Sequence, residues 1–170
     1  MLFLYQGTFS FNAIDNFLIM ELKKLHIEAS HKTPQIDFDH NTGELVLTGK
    51  SIPENAAKVY ESLLQWVNVY KNSPKRITNL RLNLEYFNTS STLWLAKIVQ
   101  SLSTIKNKSC TLMIHLFFGI DEFETMQADD LKDELHPIIH LVGDSAISVG
   151  IKIYGTDSEG NILKESIVLI

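Results

Sequence analysis

The feature that most constrains the fold of this chain is a regular alternation of β-prone runs with amphipathic helical runs through its middle. Residues 80–86 alternate apolar and polar side chains, as a strand with one buried face does. Apolar residues recur at helical spacing on either side, over residues 56–70 and 95–105. Because strands that alternate with helices favour a sheet covered by those helices, the sequence predicts an α/β fold with helices packed on a sheet.

A β-hairpin and a helix start precede this central strand. The hairpin is predicted over residues 36–49, where Asn41-Thr42-Gly43 supplies turn residues that tolerate positive φ between two β-prone arms. Ser51, Pro53 and Glu54 then indicate the start of a helix, since Ser51 can cap it, Glu54 can bond back to it and Pro53 has no N–H to satisfy.

The remaining elements follow from the same patterns, and they give the order βαβαβαβ with an addition at each end. The predicted N-terminal addition is a strand and a helix, and the C-terminal addition is a β-hairpin. The further predicted elements are a strand over 2–11, a helix over 12–25, a strand over 112–118, an acidic helix over 121–135, and β-runs over 147–154 and 162–170.

Composition excludes several classes of protein. The chain has 170 residues, which suits a single domain over residues 1–170, and a net charge of -5 disfavours binding to nucleic acid or to an anionic membrane. Cys110 is the only cysteine, so no disulfide framework is expected, and its apolar surroundings predict a buried, inert thiol. No apolar run reaches the about 20 residues of a membrane-spanning helix, and the N-terminus lacks a basic leader, which predicts a cytoplasmic protein.

The sequence shows no catalytic motif. There is no glycine-rich phosphate loop and no nucleophile elbow around a serine. His136 and His140 have helical spacing, but two ligands do not make a metal site. The acidic residues between Asp121 and Glu134 favour a solvated helix face over a cation site or a dock for a basic partner. The chain is therefore not expected to be an enzyme, nor to hold a metal or a cofactor.

The hydroxyl cluster Asn88-Thr89-Ser90-Ser91 is the most informative polar segment, since it lies where the central strand meets the next helix. In one interpretation these residues only cap the helix. In the other, one of them accepts a phosphate, which a helix N-terminus tolerates through its free N–H groups and its dipole. Such a phosphate adds about -1.5 to -2 charges and would switch the binding of a partner.

The two tryptophans differ in their expected roles. Trp66 falls in the apolar stripe of the first helix and is predicted to lie in the core. Trp94 lies off the centre of the second stripe. It is either a core residue or an exposed anchor for a partner beside the hydroxyl cluster.

Two blocks of sequence help to choose between capping and phosphorylation at residues 88–91. Ser51-Ile52-Pro53-Glu54-Asn55 and Leu84-Glu85-Tyr86-Phe87-Asn88-Thr89-Ser90-Ser91 stand in this order about thirty residues apart. Together with Pro34-Gln35-Ile36-Asp37-Phe38-Asp39 and Trp66 they resemble the SiaC family of bacterial regulatory phosphoproteins, over residues 25–140.

The resemblance implies a STAS-like fold and a function by partner switching. It implies that a dedicated kinase phosphorylates Thr89, less plausibly Ser90 or Ser91, and that a PPM-type serine/threonine phosphatase removes the phosphate. The unphosphorylated protein would bind a diguanylate cyclase and so control cyclic-di-GMP and biofilm formation. The residues expected at the partner-binding surface are Ser51, Pro53, Glu54, Asn55, Asn88, Thr89, Ser90, Ser91 and Trp94. The alternative is a constitutive STAS-like interaction module without a phospho-switch.

Both ends of the chain depart from the family pattern. Residues 20–25 resemble a family start, so that residues 1–24 are an N-terminal extension, and residues 145–170 run past the usual end. These extensions have three candidate roles: they add strands, build a homodimer, or bind a different partner.

Overall fold

The computed structural model describes residues 22–125 and 140–169, which form one sheet with helices packed on it. Three predicted elements fall wholly or mostly outside these residues. They are the strand over 2–11, most of the helix over 12–25, and most of the acidic helix over 121–135. The described elements are β1 (Leu25–Ile27), β2 (Gln35–Asp39), β3 (Glu44–Ser51), α1 (Ala56–Tyr70), β4 (Ile77–Phe87), α2 (Thr89–Ser103), β5 (Thr111–Gly119), α3 (Ile120–Thr125), β6 (Ser148–Thr156) and β7 (Ile162–Leu169).

The seven strands lie in the sheet in the same order as in the chain. Strands β3, β4, β5 and β6 are parallel, while β1, β2 and β7 pair antiparallel with their neighbours. Each parallel step needs a crossover connection, and α1 and α2 supply the first two. The predicted mixed α/β sheet with packed helices is confirmed.

The apolar stripes place both long helices against one face of the sheet. On α1 the buried residues include Tyr60, Leu63 and Trp66, and α1 packs against α2. The ring of Trp66 lies 5.4 Å from that of Phe38 on β2, and its Nε1 donates to the carbonyl of Lys23 at 2.7 Å. The prediction that Trp66 is a core residue is therefore confirmed, as is the burial of the Cys110 thiol.

The hairpin between β2 and β3 turns at Gly43, as predicted. Gly43 has φ +77°, and its N–H donates to the carbonyl of Asp39 at 2.9 Å. A Cβ on Gly43 would lie 2.5 Å from the carbonyl oxygen of Ile77, where β4 begins beside β3. The glycine is thus required both by the turn and by the close approach of the next strand.

Three predicted features at the ends of elements are wrong. The helix predicted to run to Leu25 is absent at its C-terminal end, because residues 22–24 are irregular and Leu25 begins strand β1. Ser51 does not cap α1, because β3 continues through Ser51 and the N-cap is Asn55, whose side chain accepts from the N–H of Lys58. Glu54 does not bond back to the helix start and instead pairs with Lys32.

The C-terminal part of the chain forms the predicted hairpin, with β7 antiparallel to β6. Strand β6 is also the parallel neighbour of β5, so it completes the central sheet. The acidic segment begins as a helix, α3, as predicted. Its Phe123 lies over Gly155 of β6, where a Cβ would approach the Phe123 ring to 2.9 Å.

A polar network crosses the sheet on the face opposite α1 and α2. The Glu44 carboxylate accepts from Asn79 and from Arg81, each at 2.6 Å. Asn79 Oδ1 lies 2.9 Å from His115 Nε2, and Tyr154 Oη lies 2.9 Å from His115 Nδ1. Since Asn79 Oδ1 can only accept, His115 carries its proton on Nε2 and accepts from Tyr154.

We expect this network to make the stability of the protein depend on pH. Burial of His115 and the nearby Arg81 guanidinium lower the pKa of His115 from 6.5 to about 4. The unfolded chain therefore binds one proton more than the folded protein between these values, so the stabilisation present above about pH 6.5 is lost as the pH falls towards 4. The full loss is up to about 3 kcal/mol.

The test is urea unfolding of the wild type and His115→Gln at intervals between pH 4.5 and pH 6.5. We expect the unfolding free energy of the wild type to fall more steeply on acidification, by up to about 1.4 kcal/mol per pH unit near the middle of this range. Comparing slopes removes any constant loss that the substitution itself causes. Parallel slopes would contradict a neutral, buried His115.

Candidate functional site

The candidate site lies at the edge of the sheet where β3 and β4 end together. Ser51 is the last residue of β3 and is paired with Phe87, the last residue of β4. The two sequence blocks that are thirty residues apart in the chain therefore meet, because the carboxyl ends of neighbouring parallel strands lie at the same edge.

Asn88 connects β4 to α2 and holds the junction in place. Its side-chain Oδ1 accepts from the N–H of Ser91 at 2.9 Å, which makes Asn88 the N-cap of α2. Its backbone N–H donates to the carbonyl of Ser51 at 3.0 Å, and its Nδ2 donates to the carbonyl of Pro53 at 3.3 Å. The first turn of α2 is thus anchored directly to the segment that follows β3.

A buried hydrogen-bond chain lies under this turn. Ser51 Oγ donates to Ser91 Oγ at 2.8 Å, and Ser91 Oγ donates to the Ser51 carbonyl at 2.9 Å. Tyr60 Oη lies 2.6 Å from Ser51 Oγ. Because the proton of Ser51 is directed at Ser91, Tyr60 is the donor to Ser51, and burial raises the pKa of the Tyr60 hydroxyl, which keeps it protonated.

The three hydroxyl residues of the cluster differ sharply in environment. Thr89 and Ser90, the first two residues of α2, are exposed, and neither hydroxyl makes a hydrogen bond within the described residues. Ser91 is fully buried, at 0% exposure, and its hydroxyl is engaged with Ser51. The helix is capped by Asn88, so the hydroxyls of Thr89 and Ser90 are not used for capping and face solvent.

The buried serine and its exposed neighbour form a matched pair for a stability test. Ser91→Ala removes the acceptor of Ser51 Oγ and the donor to the Ser51 carbonyl, so we expect a loss of about 1–3 kcal/mol in the free energy of unfolding. Ser90→Ala alters an exposed hydroxyl and is expected to stay within about 0.5 kcal/mol of the wild type. Urea denaturation measures both, and equal values would contradict the buried chain.

The other residues predicted at the partner-binding surface fall into three groups. Ser51, Pro53 and Ser91 are buried, so in the isolated protein they support the exposed residues of the site and are shielded from solvent. Asn88 and Trp94 are partly buried. Exposed together at this edge are Glu54, Asn55, Thr89 and Ser90.

The exposure of three apolar residues around Thr89 was missed in the sequence. Tyr86 is 65% exposed, Phe87 is 51% exposed and Leu93 is 61% exposed. Tyr86 and Phe87 are consecutive residues of β4, so their side chains project to opposite faces of the sheet. Thr89 and Leu93 are four residues apart on α2 and therefore lie on one helix face. The alternation over residues 80–86 placed Tyr86 on the buried face of the strand, and this was wrong, because the last buried position of β4 is Leu84.

The charged groups near this edge are an ion pair and a lysine that contacts an aromatic ring. Lys32 pairs with Glu54, and this hydrogen bond lowers the pKa of the Glu54 carboxyl. Lys97 lies over the Trp94 ring, 4.3 Å from its centroid. The first turn of α2 contains no acidic residue. Among residues 22–125 and 140–169, no group of three His, Cys, Asp or Glu side chains could hold a metal ion.

Comparison with known families identifies the family of the chain. The profile described as SiaC family regulatory phosphoprotein matches residues 27–142, which include both blocks at the β3–β4 edge. The chain belongs to the SiaC family. An uncharacterized protein of Pseudomonas aeruginosa is 36% identical over 70 residues, which is 41% of this chain and 56% of that relative.

Solved structures from Pseudomonas aeruginosa have the same fold. Apo-SiaC is 24% identical, with a TM-score of 0.55 over 76% of this chain and 98% of its own. A second SiaC structure is 27% identical, with a TM-score of 0.53 over 66% of this chain and 91% of its own. The diguanylate cyclase SiaD in complex with its activator SiaC gives 24% identity and a TM-score of 0.58, covering 76% of this chain and 99% of that one.

Proposed function

We propose that this protein is a phospho-switched regulator that binds and controls a diguanylate cyclase when Thr89 carries no phosphate. The observation that carries the proposal is Thr89 itself. It is exposed at the first position of α2, its hydroxyl makes no hydrogen bond within the described residues, and Asn88 already caps the helix. Capping alone therefore does not account for a hydroxyl residue at this position, whereas a phosphate acceptor does.

The surroundings of Thr89 support a switch in binding rather than in folding. A phosphate at the N-terminus of α2 meets the positive end of the helix dipole, so the fold tolerates it. Phe87 and Leu93 are exposed on either side of Thr89 in the sequence and offer apolar surface that a partner would cover. A partner seated there would have to desolvate a phosphate of about -2 charges, which is costly without a compensating cation.

The relatives support the class of the partner. SiaC of Pseudomonas aeruginosa is the activator of the diguanylate cyclase SiaD and forms a complex with it. In our proposal a kinase phosphorylates Thr89, a PPM-type phosphatase removes the phosphate, and the output is cyclic-di-GMP synthesis and biofilm control in the cytoplasm, as the sequence resemblance implies. No helix within the described part of the chain is long and apolar enough to cross a membrane.

Phosphorylation with the cognate kinase and ATP tests the acceptor. We expect the wild type and Ser90→Ala to gain one phosphate and Thr89→Ala to gain none, because Ser91 is buried and its hydroxyl is engaged with Ser51. Intact-mass spectrometry measures the addition. Undiminished labelling of Thr89→Ala would rule out Thr89 as the acceptor.

A further inference from the structure

Strand β7 forms one edge of the sheet and is exposed over residues 162–167. Within the described residues only β6 pairs with it, so the backbone N–H and C=O groups along its outer side have no strand partner. Ile162, Leu163 and Ile167 are 53%, 55% and 51% exposed. The strand therefore offers both unpaired backbone groups and apolar side chains to another strand.

The sequence of β7 suits pairing with a second strand of the same kind. It has eight residues without proline or glycine, and Lys164 and Glu165 are its only charged residues. Edge strands that resist pairing are usually very short, contain proline or carry several charges. β7 has one charge of each sign, and Lys164 already pairs with Glu124 of α3 at 2.6 Å. Two copies of β7 therefore bring together no excess of like charge.

The opposite edge of the sheet is a poor partner for β7. It is formed by β1, which has only three residues and so few backbone groups to pair. Pairing β7 with β1 of another copy would also be head-to-tail and would leave a free edge on every assembly. Pairing β7 with β7 closes through a two-fold axis and covers both long edges at once. A second copy of this chain is therefore the occupant that fits the β7 edge.

We propose that two copies of this chain form a homodimer by antiparallel pairing of β7 with β7, which joins their seven-stranded sheets into one. A two-fold axis at Ser166 places Ser166 opposite its own copy. Lys164 of each copy then lies opposite Val168 of the other. Glu165 lies opposite Ile167 in the same way, so no like charges are directly opposed across the pair.

The dimer does not depend on the proposed phospho-switch. In the sheet, β5 and β6 lie between β7 and β4, the strand that leads into the candidate site. Pairing at the β7 edge would therefore leave Thr89 exposed on both copies. The family match ends at residue 142, before β6 and β7 begin, so the dimer would be a property that residues 145–170 add to the SiaC core.

Sedimentation equilibrium of the full chain between about 1 μM and about 200 μM tests the dimer by mass action. We expect the mass to rise with concentration from 19.3 kDa towards twice that value. Ile167→Lys should weaken dimerisation about tenfold or more, because a charge on an edge strand opposes pairing. The control is Ile77→Lys, which makes the same change at an isoleucine of β4 that is 50% exposed, and it should dimerise as the wild type does.

Hydrogen exchange of the wild type tests the position of the interface without a substitution. Amides of β7 should exchange more slowly at about 200 μM than at about 1 μM, while those of β1 should exchange equally at both. A monomer at every concentration, or a dimer that both lysine variants leave equally intact, would overturn the proposal. So would β7 amides that exchange alike at both concentrations, because a second copy would then not cover this edge.

Discussion

Thr89→Glu is expected to lose binding to the diguanylate cyclase by about 100-fold or more while the protein folds as the wild type does. A carboxylate at the first position of α2 is favourable for the isolated protein, because it lies at the positive end of the helix dipole. In the complex the same carboxylate would be buried against the partner beside Leu93, where an uncompensated charge costs about 3 kcal/mol or more. Titration calorimetry measures the affinity, and urea unfolding confirms the fold.

Two control variants separate charge from shape. Thr89→Val keeps the branched shape without charge and should bind the cyclase about as well as the wild type. Ser90→Glu places the same charge one residue further along α2, about 100° around the helix, and tests how closely the effect is confined to Thr89. Tight binding by Thr89→Glu would favour a constitutive interaction module over the phospho-switch.

Gly43→Ala is expected to be the most destabilising single-methyl substitution in the hairpin, at about 3 kcal/mol or more. The new Cβ would lie 2.5 Å from the carbonyl oxygen of Ile77, which belongs to the backbone of β4 and cannot move without disturbing the sheet. The positive φ of +77° adds strain of about 1–2 kcal/mol for a residue with a Cβ.

Gly160→Ala is the matched control for this clash. Gly160 has φ +84°, similar to that of Gly43, but a Cβ there would meet no atom within 4 Å. It should therefore show the backbone strain alone, at about 1–2 kcal/mol. Urea unfolding of both variants measures the difference, and equal losses would contradict the close packing of β4 against the hairpin turn.

Elements whose patterns are local were predicted well from the sequence. The stripe of α1 and the alternation of β4 depend on the spacing of apolar residues within one element, and both appear in the structure. Gly43 was predicted from turn chemistry, which is also local. The start of α1 was not, because both Ser51 and Asn55 are capping residues, and pairing of β3 with β4 extends β3 through Ser51.

The arrangement beneath the site could not be predicted, because it joins residues far apart in the chain. Ser51 and Ser91 are forty positions apart, and only the pairing of β3 with β4 brings their hydroxyls together. The exposure of Tyr86 and Phe87 was also missed, since aromatic residues at the end of a strand usually indicate a core. The short strand β1 has only three residues and too little pattern to detect.

The phosphorylation state of Thr89 in the living cell is the most direct test of the proposed switch. The measurement is peptide mass spectrometry of the protein purified from its own host, under conditions that favour and that suppress cyclic-di-GMP synthesis. We expect phosphate on Thr89, in a fraction that falls when the cyclase is active. A complete absence of phosphate on Thr89 under all of these conditions would contradict it.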